Sequence, residues 1–408
     1  MDKPKDVSSN ELPTAEACDS SGTNASTITV CSPVEASGSP SEDLGFIGSG
    51  RCEVPCPPYI VGTTFTAISH EPPAPFGRDY TTKMPGLPKT WKEMSQLDTC
   101  LSRSSLGGQS ITHVTRTMTI TATIRSGYGR GAQILVMDND MVAKVYDPLY
   151  YEFVSEYGYT EPVVSDADGD YSREAAAYAE LQLSQADVDM TPRYYGTFTI
   201  DIDTPANVHG NKQKRSVPLI LLEHLRGHTM ADIDPTTLTD GVRSAILKKA
   251  IIAESIIHHI GINHYDFCPR NIIILNFHQQ ATASNPEHID KQVRIKVIDF
   301  NVATVRWHPK CEFQYLHVRD GTGKKKSLSR MLSPIDRNHG QMMEFYDWVP
   351  ECTTAEEWLW EQFHGDKRFR PVFWDPKYPL ESPKYLDDSE DDSGGSSDSG
   401  ISMEVKKE

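Results

Sequence analysis

Asp266 and Asn271 lie five residues apart in the stretch Gly261-Ile262-Asn263-His264-Tyr265-Asp266-Phe267-Cys268-Pro269-Arg270-Asn271, and a second carboxylate, Asp299, follows twenty-eight residues after Asn271. Two acids and an amide brought together suit divalent-metal and phosphate chemistry. Mg²⁺ takes hard oxygen ligands and keeps its remaining positions for water and substrate phosphates. Each of the three also sits against apolar sequence. Asp266 and Asn271 occupy a short polar loop between an apolar helix and an apolar strand, and Asp299 ends the run Ile295–Ile298. A charge at the end of a buried strand is costly unless it is paired or bound to metal.

The elements that must position these groups are legible in part. Ile246, Leu247, Ala250, Ile251, Ala253, Ile256, Ile257 and Ile260 recur at helical spacing, so 242–260 reads as a buried-face helix that Gly261 terminates. Apolar runs at 272–277 and 293–300 read as strands, with a polar surface loop between them. Earlier in the chain, 115–124 (TRTMTITATI) is β-branched and turn-free, and reads as a strand. Ile134 to Met137 and Met141 to Tyr146 flank Asp138-Asn139-Asp140 as a hairpin. A helix is expected over 172–183 with Ser172 as its cap, a buried strand over 217–225, and a last helix near 354–363 whose Trp358 and Trp360 face different sides. Strands first and helices second favour an α+β protein.

Read together, these residues resemble the protein-kinase-like superfamily. His264-Tyr265-Asp266 with Asn271 resembles its catalytic loop, and Asp299-Phe300-Asn301 its metal-binding Asp-Phe-Gly. Gly127-Tyr-Gly129-Arg-Gly131 resembles the glycine loop, and Met141-Val142-Ala143-Lys144 the third-strand lysine motif. Leu222-Glu223-His224-Leu225-Arg226-Gly227 resembles the hinge. The wording of Ala-Lys-Val-Tyr-Asp-Pro and Asp-Phe-Cys-Pro-Arg-Asn is most similar to divergent kinase-like proteins of fungi, themselves related to aminoglycoside phosphotransferases.

The resemblance, which covers roughly residues 110–375, implies a two-lobed kinase-like fold. An antiparallel-sheet N-lobe (110–222) would precede a mainly helical, shortened C-lobe (226–375), with 58–109 an extension of uncertain structure. It implies ATP and Mg²⁺ as cofactors and a protein or small-molecule phosphoacceptor. Gly127, Gly129 and Gly131 would cover the phosphates, and Glu223 and Leu225 would offer backbone groups to adenine. Lys144, held by Glu174 (with Glu180 as competitor), would contact the phosphates. Asn271 and Asp299 would bind the metal, and Asp266 would take or orient the acceptor proton. His264 is expected as a packed, loop-anchoring residue.

Departures from the family pattern keep a second function open. Tyr265 replaces the common Arg, and Cys268 stands where a Lys is usual, although Arg270 could substitute. Asn301 replaces the Gly after Asp-Phe, a substitution eased by the tolerance of Asn for left-handed backbone. No Ala-Pro-Glu follows Asp299. A catalytically weak pseudokinase serving as a nucleotide-binding or scaffold module is the alternative to an active phosphotransferase.

Composition bounds the rest. The 408 residues are 38% hydrophobic, below the 45–50% of a typical globular chain. The formal charge is −17 at pH 7, but residues 1–57 carry nine Asp and Glu against three Lys and Arg, and residues 385–408 carry eight against two. That leaves −5 on residues 58–384. Both ends therefore read as disordered tails, Ser/Thr/Pro-rich at the N-terminus and acidic at the C-terminus. Such a balance argues against a nucleic-acid partner. No run approaches a membrane span, and Met-Asp-Lys-Pro-Lys-Asp is too polar to begin a signal peptide. The eight cysteines are scattered, with only Cys52 and Cys56 close and no second pair at zinc spacing. A reduced, intracellular protein, cytoplasmic or nuclear, is expected.

Overall fold

The structure is a computed structural model that describes residues 56–80, 89–102, 114–155, 157–184, 189–204, 213–277, 286–311, 330–351, 353–373 and 384–385. All of these fall within the unit Cys52–Glu408. The tails expected at 1–57 and 385–408 lie outside the described residues apart from positions 56, 57 and 385.

Six strands, β1 (Thr64–Ser69), β2 (Thr115–Arg125), β3 (Gln133–Met137), β4 (Met141–Val145), β5 (Tyr194–Asp203) and β6 (Lys214–Glu223), form a closed barrel. Its order is β1-β2-β3-β4-β6-β5, with every neighbouring pair antiparallel. The β3–β4 hairpin forms as expected, its turn eased by Asp140 at φ 57°. β2 bends by register shifts at Ile120/Ala122 and Thr123/Arg125, the bulges that let a long strand curve into a barrel.

The two-lobed kinase-like fold expected from the sequence is not what forms. In place of an open antiparallel N-lobe sheet there is a closed six-stranded barrel, accompanied by six helices among the described residues. The closing strand is β1, from the segment expected to be an extension. It pairs β2 from Thr64↔Thr119 to Ile68↔Thr115 and β5 through Ile68↔Thr199 and Ser69↔Phe198. His70 extends that seam: its N–H donates to the Thr197 carbonyl at 3.0 Å, and its own carbonyl accepts from Thr197 Oγ1 at 2.7 Å. Contacts across some 130 residues leave no trace in local periodicity. Closure removes the exposed sheet edges that would otherwise recruit other strands.

The rest of the segment is tied down as well. Tyr59 Oη donates to Asp147 (2.7 Å), Gln96 Nε2 donates to the carbonyls of Pro148 (3.0 Å) and Tyr151 (2.9 Å), and Tyr80 Oη accepts from the Val305 N–H. Gln96 belongs to helix α1 (Gln96–Ser102).

Helix α2 (Val163–Leu183) starts nine residues before the expected cap. Ser172 is buried inside it and donates to the Gly169 carbonyl at 3.0 Å. Its first half (VVSDADGDY) is acidic and contains Gly169, a poor local helix signal. A Cβ there would stand 2.8 Å from Arg173 NH1, one turn on in the same helix, so that guanidinium would have to shift.

Helix α3 (Asp240–Ile260) ends at Gly261 as its pattern predicts. Gly261 adopts φ 115°, and a Cβ there would lie 2.1 Å from the Trp307 indole nitrogen. Beyond it come the paired strands β8 (Ile262–Asn263) and β11 (Thr304–Val305), and two strands of a three-stranded sheet whose third precedes the helix. That sheet is built from β7 (Gly227–Thr229), β9 (Ile272–Leu275) and β10 (Arg294–Val297). Part of the expected 278–292 loop is the helix Pro286–Gln292, and 278–285 lie outside the described residues. The helix Ala355–Phe363 carries a full capping box from Thr354 and Glu357 and buries Trp358, with Trp360 only partly covered. No helix among the described residues is long and apolar enough to cross a membrane. Among the described residues, Cys56, Cys100 and Cys268 are free thiols.

Candidate functional site

Alternation along β4 sends Val142 and Lys144 to one face, where they line a cavity of about 170 Å³. Met141, Ala143 and Val145 are buried on the other face. Glu174, Glu223, Leu225 and Asp299 line the same cavity, so five of the residues singled out in the sequence meet in one place. Its walls are otherwise mostly apolar, with Leu222, Ile273 and Tyr178 among them and His224 and Thr229 the polar exceptions. The volume is below the roughly 300 Å³ of a full ligand pocket, so it suits one planar ring, with any polar extension reaching outside. A larger cavity of about 530 Å³, walled by Trp360, Phe363, Phe369 and Arg370, contains none of the candidate residues.

Lys144 is the centre of the charge arrangement. Its ammonium donates to Glu174 Oε2 and to Asp299 Oδ1, each at 2.5 Å, and the Tyr146 hydroxyl donates to the same Glu174 oxygen at 2.6 Å. Glu180, the competing partner, plays no part in this bridge. Burial works against the charge on Lys144, but Asp299 and Glu174 outweigh it and hold its pKa above the ordinary lysine value. Burial pushes the Glu174 carboxyl up, with Lys144 only partly opposing it. For Asp299 burial also pushes up, yet Lys144 prevails and the carboxyl stays below the usual range. The result is an ionised Asp299 beside a protonated lysine.

Asp299 is presented by strained backbone. It has φ 66° and Tyr265 has φ 60°, while Asn301, where left-handed tolerance was expected, is not among the positive-φ residues. Non-glycine residues persist in this region only where the surroundings enforce it. Here His264, 2% exposed, supplies the enforcement: its Nε2 meets the Ile298 carbonyl at 2.9 Å and its Nδ1 accepts from the Asp266 N–H at 3.3 Å. Those roles require a neutral ring protonated on Nε2, and burial lowers the His264 pKa accordingly. The packed, anchoring role expected for His264 matches this geometry. Phe300 wedges between His264 (ring centroids 4.7 Å) and Tyr178 (5.2 Å).

Asp266 and Asn271 are joined directly. Asn271 Nδ2 donates to Asp266 Oδ2 and to its carbonyl, both at 2.8 Å, and Arg270 donates to Asp266 Oδ1 at 2.6 Å. The Asn271 carbonyl accepts from the Ile298 N–H at 2.9 Å, which ties the loop to the strand leading into Asp299. Neither Asp266 nor Asn271 lines the cavity, and nor do Gly127, Gly129 and Gly131. These glycines form the β2–β3 turn with φ of 131°, 69° and 65°. Two of the turn's amides already have partners: Gly127 N–H donates to Gln133 Oε1 (2.6 Å) and Gly129 N–H to the Tyr150 carbonyl (2.9 Å). Cys268 is buried, and burial followed by the Asp266 charge pushes its thiol up to about 11, so it is no nucleophile near neutral pH.

Sequence reasoning missed three contributors. Arg125, at the end of β2, adds a second positive charge acting on Asp299. Arg173 holds the turn after Asp299 by donating from Nε to the Asn301 carbonyl at 2.7 Å, while NH1 donates to the Phe76 carbonyl at 2.8 Å. Asp166 and Asp170 precede Glu174 at intervals of four on α2 and form one acidic stripe. That spacing was readable; their burial was not.

Burial, then Asp170 and Glu161, push Asp166 up to about 6. A carboxyl raised in the folded state contributes its stability below the unfolded pKa and loses it as pH rises through the folded value. Asp166→Asn is therefore expected to raise stability at pH 8 by ~1–2 kcal/mol after allowance for solvent screening, with no gain at pH 4. Thermal melts at the two pH values check this, and a gain independent of pH would contradict it.

Any metal must be held by few protein groups. Among the described residues, no set of three or more His, Cys, Asp or Glu side chains could hold an ion. Mg²⁺ needs only one or two carboxylates when phosphates and water supply the rest, and Asp299 is the ionised carboxylate in the cavity wall. No protein-family model matches the chain, and no curated protein matches it.

Proposed function

We propose that this protein is a phosphotransferase that moves the γ-phosphate of ATP to a hydroxyl acceptor, a protein or a small molecule. The observation that carries this is the Lys144 bridge between Glu174 and Asp299 in the wall of a ring-sized apolar cavity. A lysine so fixed offers its ammonium to phosphate oxygens without having to be ordered on binding. Support comes from the site and not from the architecture, since function belongs to sites and a barrel by itself specifies none.

Within this function the cavity takes the base, with the backbone of Glu223 and Leu225 at its edge. Lys144 neutralises phosphate charge. Asp299 and the Asn271 amide oxygen would hold Mg²⁺, which supplies further neutralisation when bound. Asp266 accepts the acceptor's hydroxyl proton as the new O–P bond forms and the bond to the ADP leaving group breaks. Asn271 and Arg270 hold the Asp266 carboxylate in place for that step. Arg270, whose side chain is 61% exposed, stands at the solvent edge of this group.

One observation favours the second function, a nucleotide-binding module of weak activity. Both Asp266 carboxylate oxygens already accept hydrogen bonds, from Arg270 and Asn271, so an acceptor hydroxyl would have to compete with those donors. Turnover separates the two. Millimolar ATP with Mg²⁺ is expected to raise the melting temperature, and Asp299→Ala to remove that shift. Asp266→Asn is expected to keep the shift while lowering γ-phosphate transfer to acceptor pools at least a hundredfold. No shift in the unmodified protein overturns the nucleotide site, and a shift without transfer leaves the binding module.

A further inference from the structure

The turn at residues 127–131 carries three glycines with left-handed backbone. Added Cβ atoms at Gly129 and Gly131 would meet nothing within 4 Å, so these glycines are required by conformation and not by close packing. Left alone, such a turn is among the most costly pieces of chain to order. It is nevertheless held at its base by one side chain. Gln133, the first residue of β3, is 0% exposed and uses its whole amide on the turn. Its Oε1 accepts from Ser126 Oγ at 2.9 Å and from the Gly127 N–H at 2.6 Å, and its Nε2 donates to the carbonyls of Gly127 (3.2 Å) and Gly131 (2.9 Å). The outer end is held separately, by Gly129 N–H on the Tyr150 carbonyl and by Tyr128 Oη, which accepts from the Phe153 N–H at 2.9 Å.

We infer that Gln133 is a positioning residue that pre-sets the turn at residues 126–131, together with the neighbouring Arg125, against the phosphate end of the nucleotide. Its role depends on the phosphotransferase function proposed above. A buried amide with both donors and both acceptors satisfied by one turn fixes that turn before any ligand arrives, which lowers the ordering cost of binding. The benefit falls on phosphates and not on the base, because Gln133 and Ile134 pair with Val145 and Lys144, which sets the turn beside the lysine, while neither Gln133 nor the turn lines the cavity.

The test compares the full-length protein with Gln133→Leu, which removes all four bonds, and Ser126→Ala, which removes one and spares the fold. Affinity for Mg·ATP and for adenosine is measured by calorimetry, and amide hydrogen exchange is followed across 126–131. Gln133→Leu is expected to weaken Mg·ATP at least tenfold and leave adenosine within twofold, with faster exchange in the turn. Ser126→Ala should move in the same direction by a smaller factor. Equal loss for both ligands, or unchanged exchange, overturns the positioning role while leaving the nucleotide function standing. If the unmodified protein binds neither ligand, the proposed function fails first, and the role toward phosphates falls with it even where exchange accelerates.

Discussion

Replacing Lys144 with methionine is expected to abolish Mg·ATP binding and to destabilise the protein by ~3–5 kcal/mol at pH 8, the usual result of removing one partner of a buried ion pair. Glu174 is fully buried, and without the ammonium its remaining donor here is the Tyr146 hydroxyl. Asp299 loses the charge that keeps it ionised. Both carboxyls then gain proton affinity in the folded state. A carboxyl raised on folding favours the fold at low pH and stops doing so as pH rises through its folded pKa. The deficit of Lys144→Met should therefore shrink between pH 8 and pH 5. Adding Glu174→Gln, which removes the unpaired charge, should recover most of the stability and none of the binding. Urea titrations at both pH values with all three proteins decide the matter. A loss under ~1 kcal/mol that ignores pH would mean that the lysine does not neutralise buried charge.

Arg215→Met is expected to cost a similar ~3–5 kcal/mol. Asp147 is 0% exposed; its Oδ2 accepts from Arg215 NH2 at 2.9 Å and from Tyr59 Oη at 2.7 Å, and its Oδ1 from Arg215 NH1 and from the Leu149 N–H at 3.1 Å. Burial and the Asp147 charge push the Tyr59 phenol well above its ordinary pKa, so it stays a donor. This cluster fastens the chain ahead of β1 to the end of β4 and the start of β6. Arg215→Met should therefore loosen the segment around residues 56–70 as well as lowering global stability. The double variant Asp147→Asn/Arg215→Met should return to within ~1 kcal/mol of the parent, because a neutral pair leaves no uncompensated charge. Chemical denaturation gives the energies, and hydrogen exchange at residues 59–70 gives the loosening. A double variant as unstable as the single one would show that packing of the arginine stem, and not charge, sets the effect.

Much of the candidate site was legible because its residues sit at element ends that local pattern reveals. The helical periodicity of 246–260 and the glycine after it located the loop holding Asp266 and Asn271, and the apolar run before Asp299 located its strand. Lys144 was singled out by a motif resemblance, on a strand that the turn at 138–140 located, and Glu174 as its partner on the helix that follows. The start of α2 was missed because Gly169 and its acidic neighbours oppose helix locally. Burial of most of α2 in the core, Asp168 and Glu174 included, overrides that preference. Gln133 gave no signal, since a glutamine opening a strand is unremarkable until its four partners are seen.

The amino-acid sequence by itself determined the strand and helix periods, the glycine terminator at 261 and the set of polar residues placed at element ends, because each depends on neighbours within a turn or two of chain. Only the tertiary structure decided that β1 closes the sheet into a barrel, that Lys144 joins Glu174 to Asp299, and that Asp147 meets Arg215 and Tyr59. These contacts link positions 30 to 155 residues apart. At such separations the choice of partner is settled by which buried charge must be neutralised and which strand edge must be covered. Both are properties of the assembled core, and no short window of sequence contains them.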